Sequence, residues 1–331
     1  MRRGEIIPSG SRTRSVIGPL APAACSTGNT GWRELGAVAA GLALLAGASA
    51  PARAAGYSEF LDSIEFRGFR AEASYTSDDN VTRAPSGDSL RDRILGVRVS
   101  AAGVIPLSTR TRAAVQGFAG TQKFGTYTGL SNNFIGTQGD FFFRSSGEFA
   151  AATYGAFVRT AKEEYDSNLR DGYRHAFGVT VLKPVTDRIQ LSGALARNIS
   201  DGKSTVFDQS NTSLRGNADW SLGRWDTVYL GAEFRRGDTV STGRQTLALV
   251  DTADVIVQDD AFNDTTRFAY RFEARTWLAT LGYNRAFGER HSLDVSWRRV
   301  QSMPLHPPGN ASASELRYVV NQFSVAYLAR F

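Results

Sequence analysis

Three histidines, His175, His291 and His306, are the side chains best suited to acid–base chemistry near neutral pH. His175 stands between Tyr173 and Phe177 without a serine motif of the kind that accompanies a catalytic histidine. The other two lie beside a turn and in a proline-rich loop. The sequence has no spacing of metal ligands, no phosphate-binding glycine loop and no dinucleotide fingerprint. We therefore predict that the protein is not an enzyme and has no cofactor or metal.

Polar side chains that recur at every second position are the other group that could bind or guide a solute. A period of two places such residues on one face of β-strands, and in a closed barrel that face can line the lumen. The candidate lumen-lining residues are Arg98, Arg112, Gln116, Gln138, Asp140, Arg144, Arg215, Asp219, Glu233, Arg235, Asp294 and Arg298. Arginines outnumber carboxylates in this set. Either they leave a positive surface that favours anionic solutes, or they pair with the carboxylates and hold a narrow lumen shut.

The strands that would position these residues follow from the alternation. In the segment 95–103, Val97 and Val99 alternate with Arg98 and Ser100, so one face is apolar and the other polar. Short turns are predicted at 105–109, 145–147, 184–187, 222–226 and 287–290, and long loops at 78–89, 124–133, 162–170, 200–211, 238–263 and 303–315. Five turns and six loops in alternation give about twelve antiparallel strands. The loop 238–263 contains Val255-Ile-Val257, which indicates a further stretch of strand.

We predict an all-β fold, a transmembrane antiparallel up-and-down β-barrel of about twelve strands. Beyond the N-terminal region, no apolar run reaches the ~18 residues that a transmembrane helix needs. Open strand edges in hydrocarbon would leave unpaired N–H and C=O groups that cost several kcal/mol each, so the sheet must close. A soluble, exported all-β protein would show the same alternation and is the competing interpretation.

The N-terminus resembles a secretory signal peptide. Basic residues precede the apolar stretch 35–46, and small residues follow it, so we predict a signal peptide over 1–54, cleavage after Ala54 and a barrel over 55–331. Residues 1–55 hold six arginines and two glutamates, and the remainder has 32 basic and 30 acidic residues. Nucleic-acid binding therefore loses its support in the charge. The single cysteine, Cys25, is removed with the signal peptide, which leaves no disulfide.

The last residues form a predicted strand that ends on an aromatic side chain. Phe323, Tyr327 and Phe331 share one face of it, as in the assembly signal of outer-membrane barrels. Further aromatic residues are predicted near both ends of the strands, where they suit the membrane–water interfaces. Those near the periplasmic ends are Trp220, Trp225, Tyr283 and Phe287, and those near the outer ends are Tyr75, Phe124, Tyr127, Phe134, Tyr173, Phe268 and Tyr318. Both features favour a membrane barrel over a soluble sheet.

The first predicted strand and loop, Ala73-Ser-Tyr-Thr-Ser-Asp-Asp-Asn-Val81, resemble the opening of the β-barrel porin type 2 family. The chain length and the final Phe331 fit the same layout. The resemblance implies an outer-membrane barrel, in some members linked with exopolysaccharide or capsule production, and brings no common substrate or catalytic residue. Asp78, Asp79 and Asn80 suit the start of an exposed loop, because their short side chains bond to their own backbone. A calcium-linked or lipopolysaccharide-linked role for them is the alternative.

Together these observations predict an outer-membrane barrel that acts as a pore, or as an accessory, for polar or anionic solutes or exopolysaccharide. The expected partners are outer-membrane lipid and lipopolysaccharide, the barrel-assembly machinery and polysaccharide-export proteins, and no nucleic acid. Two alternatives stay open. One is a barrel enzyme that acts on lipid through His175, and the other is a filled, non-conducting barrel with a scaffolding role.

Overall fold

The computed structural model describes residues 68–307, 309 and 316–331. The predicted signal peptide and its cleavage site after Ala54 lie outside these residues. The strands are β1 (Gly68–Asp78), β2 (Asp92–Pro106), β3 (Thr111–Phe124), β4 (Asn132–Arg144), β5 (Thr153–Tyr165), β6 (Gly172–Pro184), β7 (Ile189–Gly202), β8 (Gln209–Ser221), β9 (Asp226–Arg244), β10 (Val255–Gln258), β11 (Arg267–Phe287), β12 (His291–Pro304) and β13 (Tyr318–Arg330). The helix α1 spans Leu247–Thr252. Among the described residues, no helix has the length and apolar character needed to cross a bilayer.

The strands form one closed antiparallel barrel. Each pairs with the next along the chain, except that β9 pairs with β11, and the ring closes where β1 pairs with β13 from Arg70↔Arg330 to Asp78↔Gln322. Twelve strands therefore make up the ring, as predicted, and β10 stands outside it. Closure satisfies the backbone edges that an open sheet would expose.

Along the strands, apolar side chains face outward and polar side chains face the lumen, as predicted. Leu230 is 58% exposed on the outer surface, whereas its neighbour Tyr229 is 2% exposed on the inner face. The same contrast recurs on other strands, so leucine, valine, isoleucine and aromatic side chains cover the outside of the barrel. Soluble monomers rarely expose contiguous apolar patches above a few hundred Å². The outer surface is therefore suited to lipid, and the polar face is turned inward.

The connections alternate between the two ends of the barrel. At one end they have three or four residues, except that the turn predicted at 145–147 extends over 145–152. The six long loops predicted from the sequence lie at the other end. They are L1 (79–91), L2 (125–131), L3 (166–171), L4 (203–208), L5 (245–266) and L6 (305–317, described only in part). The predicted stretch of strand in the fifth loop is present as β10, which pairs with β11 at 268–271. The hairpin of β9 and β11 stays in register to Arg244↔Arg267, so these two strands extend past their neighbours. L5 starts from this extended rim.

Aromatic side chains on the inner wall lie across glycines of the neighbouring strand. Tyr229 pairs with Gly282, and a Cβ added at Gly282 would stand 2.1 Å from Cζ of the tyrosine ring. From this position the Tyr229 hydroxyl donates a hydrogen bond of 2.9 Å to Oδ1 of Asp294 on β12. The ring thus spans three strands, β9, β11 and β12, and only glycine leaves room for it.

A side chain at position 282 should therefore destabilise the barrel. In Gly282→Val the Tyr229 ring must move, which combines overpacking at about 1–3 kcal/mol with loss of a buried hydrogen bond at about 1–3 kcal/mol. We expect a lower urea midpoint for unfolding in detergent, and the heat-dependent shift in gel migration is the measure of the folded fraction. Gly216→Val is the control, because Gly216 lies on the exposed outer face with nothing within 4 Å of its added Cβ. Equal midpoints for the two variants would contradict this account.

Candidate functional site: the lumen and its outer mouth

The inner face of the barrel carries all twelve of the candidate lumen-lining residues named from the sequence. Gln116, Gln138, Asp140 and Glu233 are buried there, while Arg112 is exposed beside the short turn 107–110. The other members, Arg98, Arg144, Arg215, Asp219, Arg235, Asp294 and Arg298, are partly buried on the same face. The structure adds Arg70, Glu72 and Arg159 to this wall by the same alternation. Arg330, which the alternation of the last strand also predicts, lies on it as well. Arginines still outnumber carboxylates among the described inward-facing residues of the strands.

Glu233 is the centre of the main charged group in the lumen. Its carboxylate accepts from Nε of Arg235 at 2.6 Å and lies 3.1 Å from Nη2 of Arg215. The glutamate side chain is 2% exposed, but the arginine side chains are 36% and 39% exposed. One carboxylate therefore meets two guanidinium groups, and both guanidinium groups keep contact with solvent inside the barrel. The lumen beside β8 and β9 has room for water.

Three other inner carboxylates, Asp140, Asp219 and Asp294, accept hydrogen bonds from neutral side chains. Nε2 of Gln138 donates to Asp140 at 3.0 Å, and Nδ2 of Asn217 donates to Asp219 at 2.8 Å. Asp294 accepts from Tyr229, as described above. Of the four carboxylates predicted from the sequence, Glu233 thus forms a close pair with two arginines. Glu72, which the structure adds to the wall, lies 3.1 Å from Nη2 of Arg70.

Sequence reasoning missed an aromatic element of the inner wall. Phe118, on β3, has the guanidinium carbon of Arg98 at 4.7 Å from its ring centroid and that of Arg159 at 4.5 Å. Phe134 packs beside it with ring centroids 6.3 Å apart, and a Cβ at Gly120 would meet the Phe134 ring at 2.5 Å. Cation–π contacts of this kind hold arginine side chains against the wall. The signal was available, because Phe118 shares its parity with the predicted residue Gln116.

The prediction that Phe134 lies at the membrane–water interface is wrong, because its ring lies on the inner wall. The same prediction is wrong for four other aromatic residues. Phe124, Tyr127, Phe268 and Tyr318 pack in the loops or on the inner side of the rim instead of facing lipid. Tyr75 and Tyr173 are exposed on the outer surface, as are Trp220, Tyr283 and Phe287 near the short-turn ends of their strands, while Trp225 is half-buried in a short turn. Burial against other loops gave the displaced rings a better contact than the interface would.

L5 crosses the outer mouth of the barrel. L2 joins ring positions three and four, and L5 joins positions nine and ten, so the two loops start on opposite sides of the ring. A Cβ at Gly129 of L2 would nevertheless lie 2.5 Å from Cα of Ala261 in L5. Tyr127 also packs on Phe262, with ring centroids 5.3 Å apart. Contact between opposite loops requires L5 to span the mouth.

Three apolar clusters join L5 to the other long loops. The first contains Leu249, Phe272 and Leu316, the second contains Val81, Leu130 and Phe262, and the third contains Val206, Phe207 and Ala269. Partly buried Leu169 of L3 and Val255 and Val257 of β10 complete the third cluster. All six long loops contribute to this assembly, which we call the loop cap and define as residues of L1 to L6.

A buried ion pair fixes the loop cap at its centre. Arg170 of L3 donates to both oxygens of Asp259 in L5, at 2.7 and 2.6 Å. Asp259 is fully buried and also accepts from the hydroxyl of Thr242 at 2.7 Å. The guanidinium carbon of Arg170 lies 4.3 Å from the ring centroid of Phe207. Such a pair holds its geometry well, because separating it would leave an uncompensated buried charge.

The residues at the junction of β1 and L1 act as turn formers. Asp78 accepts from the backbone N–H of Asn80 at 2.8 Å and pairs with Arg83 at 2.9 Å. Nδ2 of Asn80 donates to the carbonyl of Ala84 at 2.8 Å. The side chain of Asp79 accepts from Nδ2 of Asn321 at 2.8 Å. These contacts engage the three residues in loop structure, which is the interpretation that the sequence favoured.

The three histidines have contacts of a structural kind. Nδ1 of His175 lies 3.0 Å from the hydroxyl of Thr160 on the outer surface, and that of His291 lies 2.8 Å from the hydroxyl of Tyr327. His306 stands 3.9 Å from Glu273 at the outer rim. Within the described ranges, no group of three or more His, Cys, Asp and Glu side chains has the arrangement of a metal site.

The C-terminal aromatic residues lie on the outer face of the strand that closes the ring. Phe323, Tyr327 and Phe331 are 62%, 46% and 71% exposed. Their side chains are thus accessible from outside the barrel, as an assembly signal requires. Recognition by the barrel-assembly machinery stays a prediction.

Comparison with solved structures supports the fold. An outer membrane channel from Pseudomonas putida F1 aligns with a TM-score of 0.50 and 13% identity, over 80% of this chain and 96% of that chain. A NanC porin aligns with a TM-score of 0.43 and 8% identity over 80% and 100%, and a KdgM porin with 0.40 and 9% over 79% and 99%. No protein-family model matches the chain, and no curated protein is detectably similar to it. The resemblance to the β-barrel porin type 2 family therefore has no independent support.

Loss of the Asp259 carboxylate should loosen the loop cap. Asp259→Asn leaves Arg170 buried without its counter-charge, at a cost of about 3–5 kcal/mol. We expect faster hydrogen exchange in L5 and L3 of the detergent-solubilised protein, with unchanged exchange in β2 to β7. Asp251→Asn, an exposed position on α1 in the same loop, is the control and should exchange like the wild type. Unchanged protection of L5 in Asp259→Asn would show that the apolar clusters hold the cap alone.

Proposed function

We propose that the protein is an outer-membrane channel for small polar, preferentially anionic, solutes, with an outer entrance restricted by the loop cap. The observation that carries this proposal is the partition of side chains, with a lipid-compatible exterior around an inner wall of solvent-accessible arginines. The long loops would face outward and the short turns would face the periplasm, as in bacterial outer-membrane barrels.

The charge of the inner wall supports a preference for anions. Arg215 and Arg235 share Glu233, so this group carries a net positive charge in a partly solvated space. Arg98 and Arg159 are held against Phe118, which fixes their positions. Rings of arginine favour anion passage through pores, since counter-ions accumulate in a narrow, low-dielectric channel.

The loop cap limits which solutes are suitable. L5 spans the mouth and packs on loops from all round the ring, so a continuous exopolysaccharide could pass only after L5 was displaced. Small solutes need only the gaps between the loops or their local opening. The cap therefore favours small solutes over a polymer, and a role as an accessory to polysaccharide export becomes the weaker alternative.

A filled, non-conducting barrel is the second candidate, and the same cap favours it. A barrel of twelve strands lies between the small filled barrels and the water-filled porins with sixteen strands. A lipid hydrolase has less support, because the described contacts of His175 are with Thr160 and the Tyr173 ring. Ion conductance separates the channel from the filled barrel.

The channel should select for anions, and loss of an inner carboxylate should strengthen this selectivity. In a planar bilayer with a salt gradient, we expect the wild type to have a reversal potential whose sign indicates anion selectivity. Glu233→Gln removes a negative charge beside two arginines, so its reversal potential should move further toward the anion limit. Glu164→Gln makes the same change on the exposed outer face and should leave the potential unchanged. Conductance no greater than that of the bare bilayer would favour the filled barrel, and cation selectivity would contradict the proposal.

A further inference from the structure

A row of arginines lies on the outer face of the barrel, just beyond its apolar band. Arg197 on β7, Arg236 on β9 and Arg275 on β11 are exposed and belong to one row across the sheet. The register connects them through Thr212, as Arg197↔Thr212, Thr212↔Arg236 and Arg236↔Arg275. We call these three arginines with Thr212 the outer arginine row.

The position of the row follows from the residues along β9 and β11. Going outward, the directly paired residues are Leu230 with Leu281, Ala232 with Ala279, Phe234 with Trp277 and then Arg236 with Arg275. The Phe234 and Trp277 rings are in contact, with centroids 4.6 Å apart. The chain thus passes from apolar to aromatic to cationic side chains in the order that a membrane–water interface requires.

The length of the apolar band agrees with this position. Trp277 and Phe287 lie on the same outer face of β11, near its outer and periplasmic limits, and both are more than half exposed. The ten residue-to-residue steps from Trp277 to Phe287, on a strand tilted by about 40°, cover about 25 Å, the height of the apolar band of such barrels. Arg275 therefore lies at the level of the outer-leaflet headgroups if the barrel is oriented as proposed.

Two guanidinium groups directly opposite each other on neighbouring strands repel each other. In the part of the chain that the structure describes, the salt bridges do not include Arg236 or Arg275. Arg197 donates to the hydroxyl groups of Thr212 and Ser210, which are neutral. A cavity of about 330 Å³ is lined by Arg197, Ser210, Thr212 and Arg236 together with Asp238 and Glu273. Arg197, Thr212 and Arg236 of the row thus border a space at the outer surface, and Arg275 adds its charge from the position opposite Arg236.

The carboxylates that line this cavity set its outer limit. Asp238 pairs with Glu273, two residues further along the strands from the membrane than the pair of Arg236 and Arg275. Asp238 accepts from the backbone N–H of Ser210 at 2.8 Å, so it is held in place. An anion would be attracted to the arginines and repelled from the level above, which favours a group that approaches from the bilayer side.

We infer that the outer arginine row binds a phosphate group of a phosphorylated outer-leaflet glycolipid, with its acyl chains along the apolar surface that includes Phe234 and Trp277. Arginine binds phosphate oxygens in a bidentate manner, and the acyl chains bring the phosphate to the required depth. This inference rests on the proposed outer-membrane location and orientation and specifies the lipid partner.

Binding of lipid A to the detergent-solubilised full chain tests the inference, with native mass spectrometry as the measurement. The double variant Arg236→Gln/Arg275→Gln should bind lipid A that carries both phosphates at least tenfold more weakly than the wild type. Arg285→Gln, which changes an exposed arginine at the periplasmic end of the same strand and face, should bind it normally. Wild-type binding of enzymatically dephosphorylated lipid A should fall by a similar factor.

Equal binding by the double variant and the wild type, or equal binding of dephosphorylated lipid A, would overturn the inference. Inorganic phosphate at millimolar concentration should not displace lipid A, and displacement would mean a site for free anions instead of lipid. Conductance and heat-dependent gel migration are measured on the same preparations. If conductance is normal but lipid A binds equally well with and without its phosphates, only the lipid site is rejected. If neither the wild type nor any variant conducts, the proposed channel is rejected.

Discussion

Closure of the hydrogen-bonded ring is the constraint on which the rest of this structure depends. Twelve strands satisfy each other's backbone N–H and C=O groups only because β13 returns to β1, and a bilayer offers no other partner for them. Once the ring is closed, the period of two leaves each residue one of two environments. The apolar side chains that cover the outside and the arginines that line the lumen occupy the two environments that this division creates.

A closed ring of twelve strands has a small interior, and the side chains of the wall respond to the limited space. Tyr229 lies over Gly282, and Phe134 lies over Gly120, so large rings lie along the wall instead of projecting into the lumen. Arg98 and Arg159 lie against Phe118 in the same way. Flattened rings and stacked arginines leave the room in which Arg215 and Arg235 keep contact with solvent.

The sequence predicted the ring, its alternation and the inner position of residues such as Glu233, because these depend on local periodicity and turn chemistry. It could not predict the partner of Asp259, since Arg170 lies 89 residues earlier in the chain and the two meet only when L3 and L5 fold together. The prediction that Phe134 lies at the interface is wrong because an aromatic residue near a strand end suits either face, and only the parity of its position distinguishes the two faces. Long-range contacts between loops have no periodic signature, so the loop cap became visible only in three dimensions.

The loop cap restricts access to the lumen, whereas the inner wall can act on solutes only when they enter it. A wall with solvated arginines is useful only if solutes reach it, yet L5 crosses the mouth and its pair Arg170–Asp259 is bidentate and buried. The apolar clusters bind L5 to every other long loop, so local opening at one loop must break contacts at several. Opening is therefore expected to be cooperative, with the cap either packed across the mouth or displaced from it. In the proposed channel, the stability of the loops would set the conductance, while the charges of the wall would set the selectivity separately.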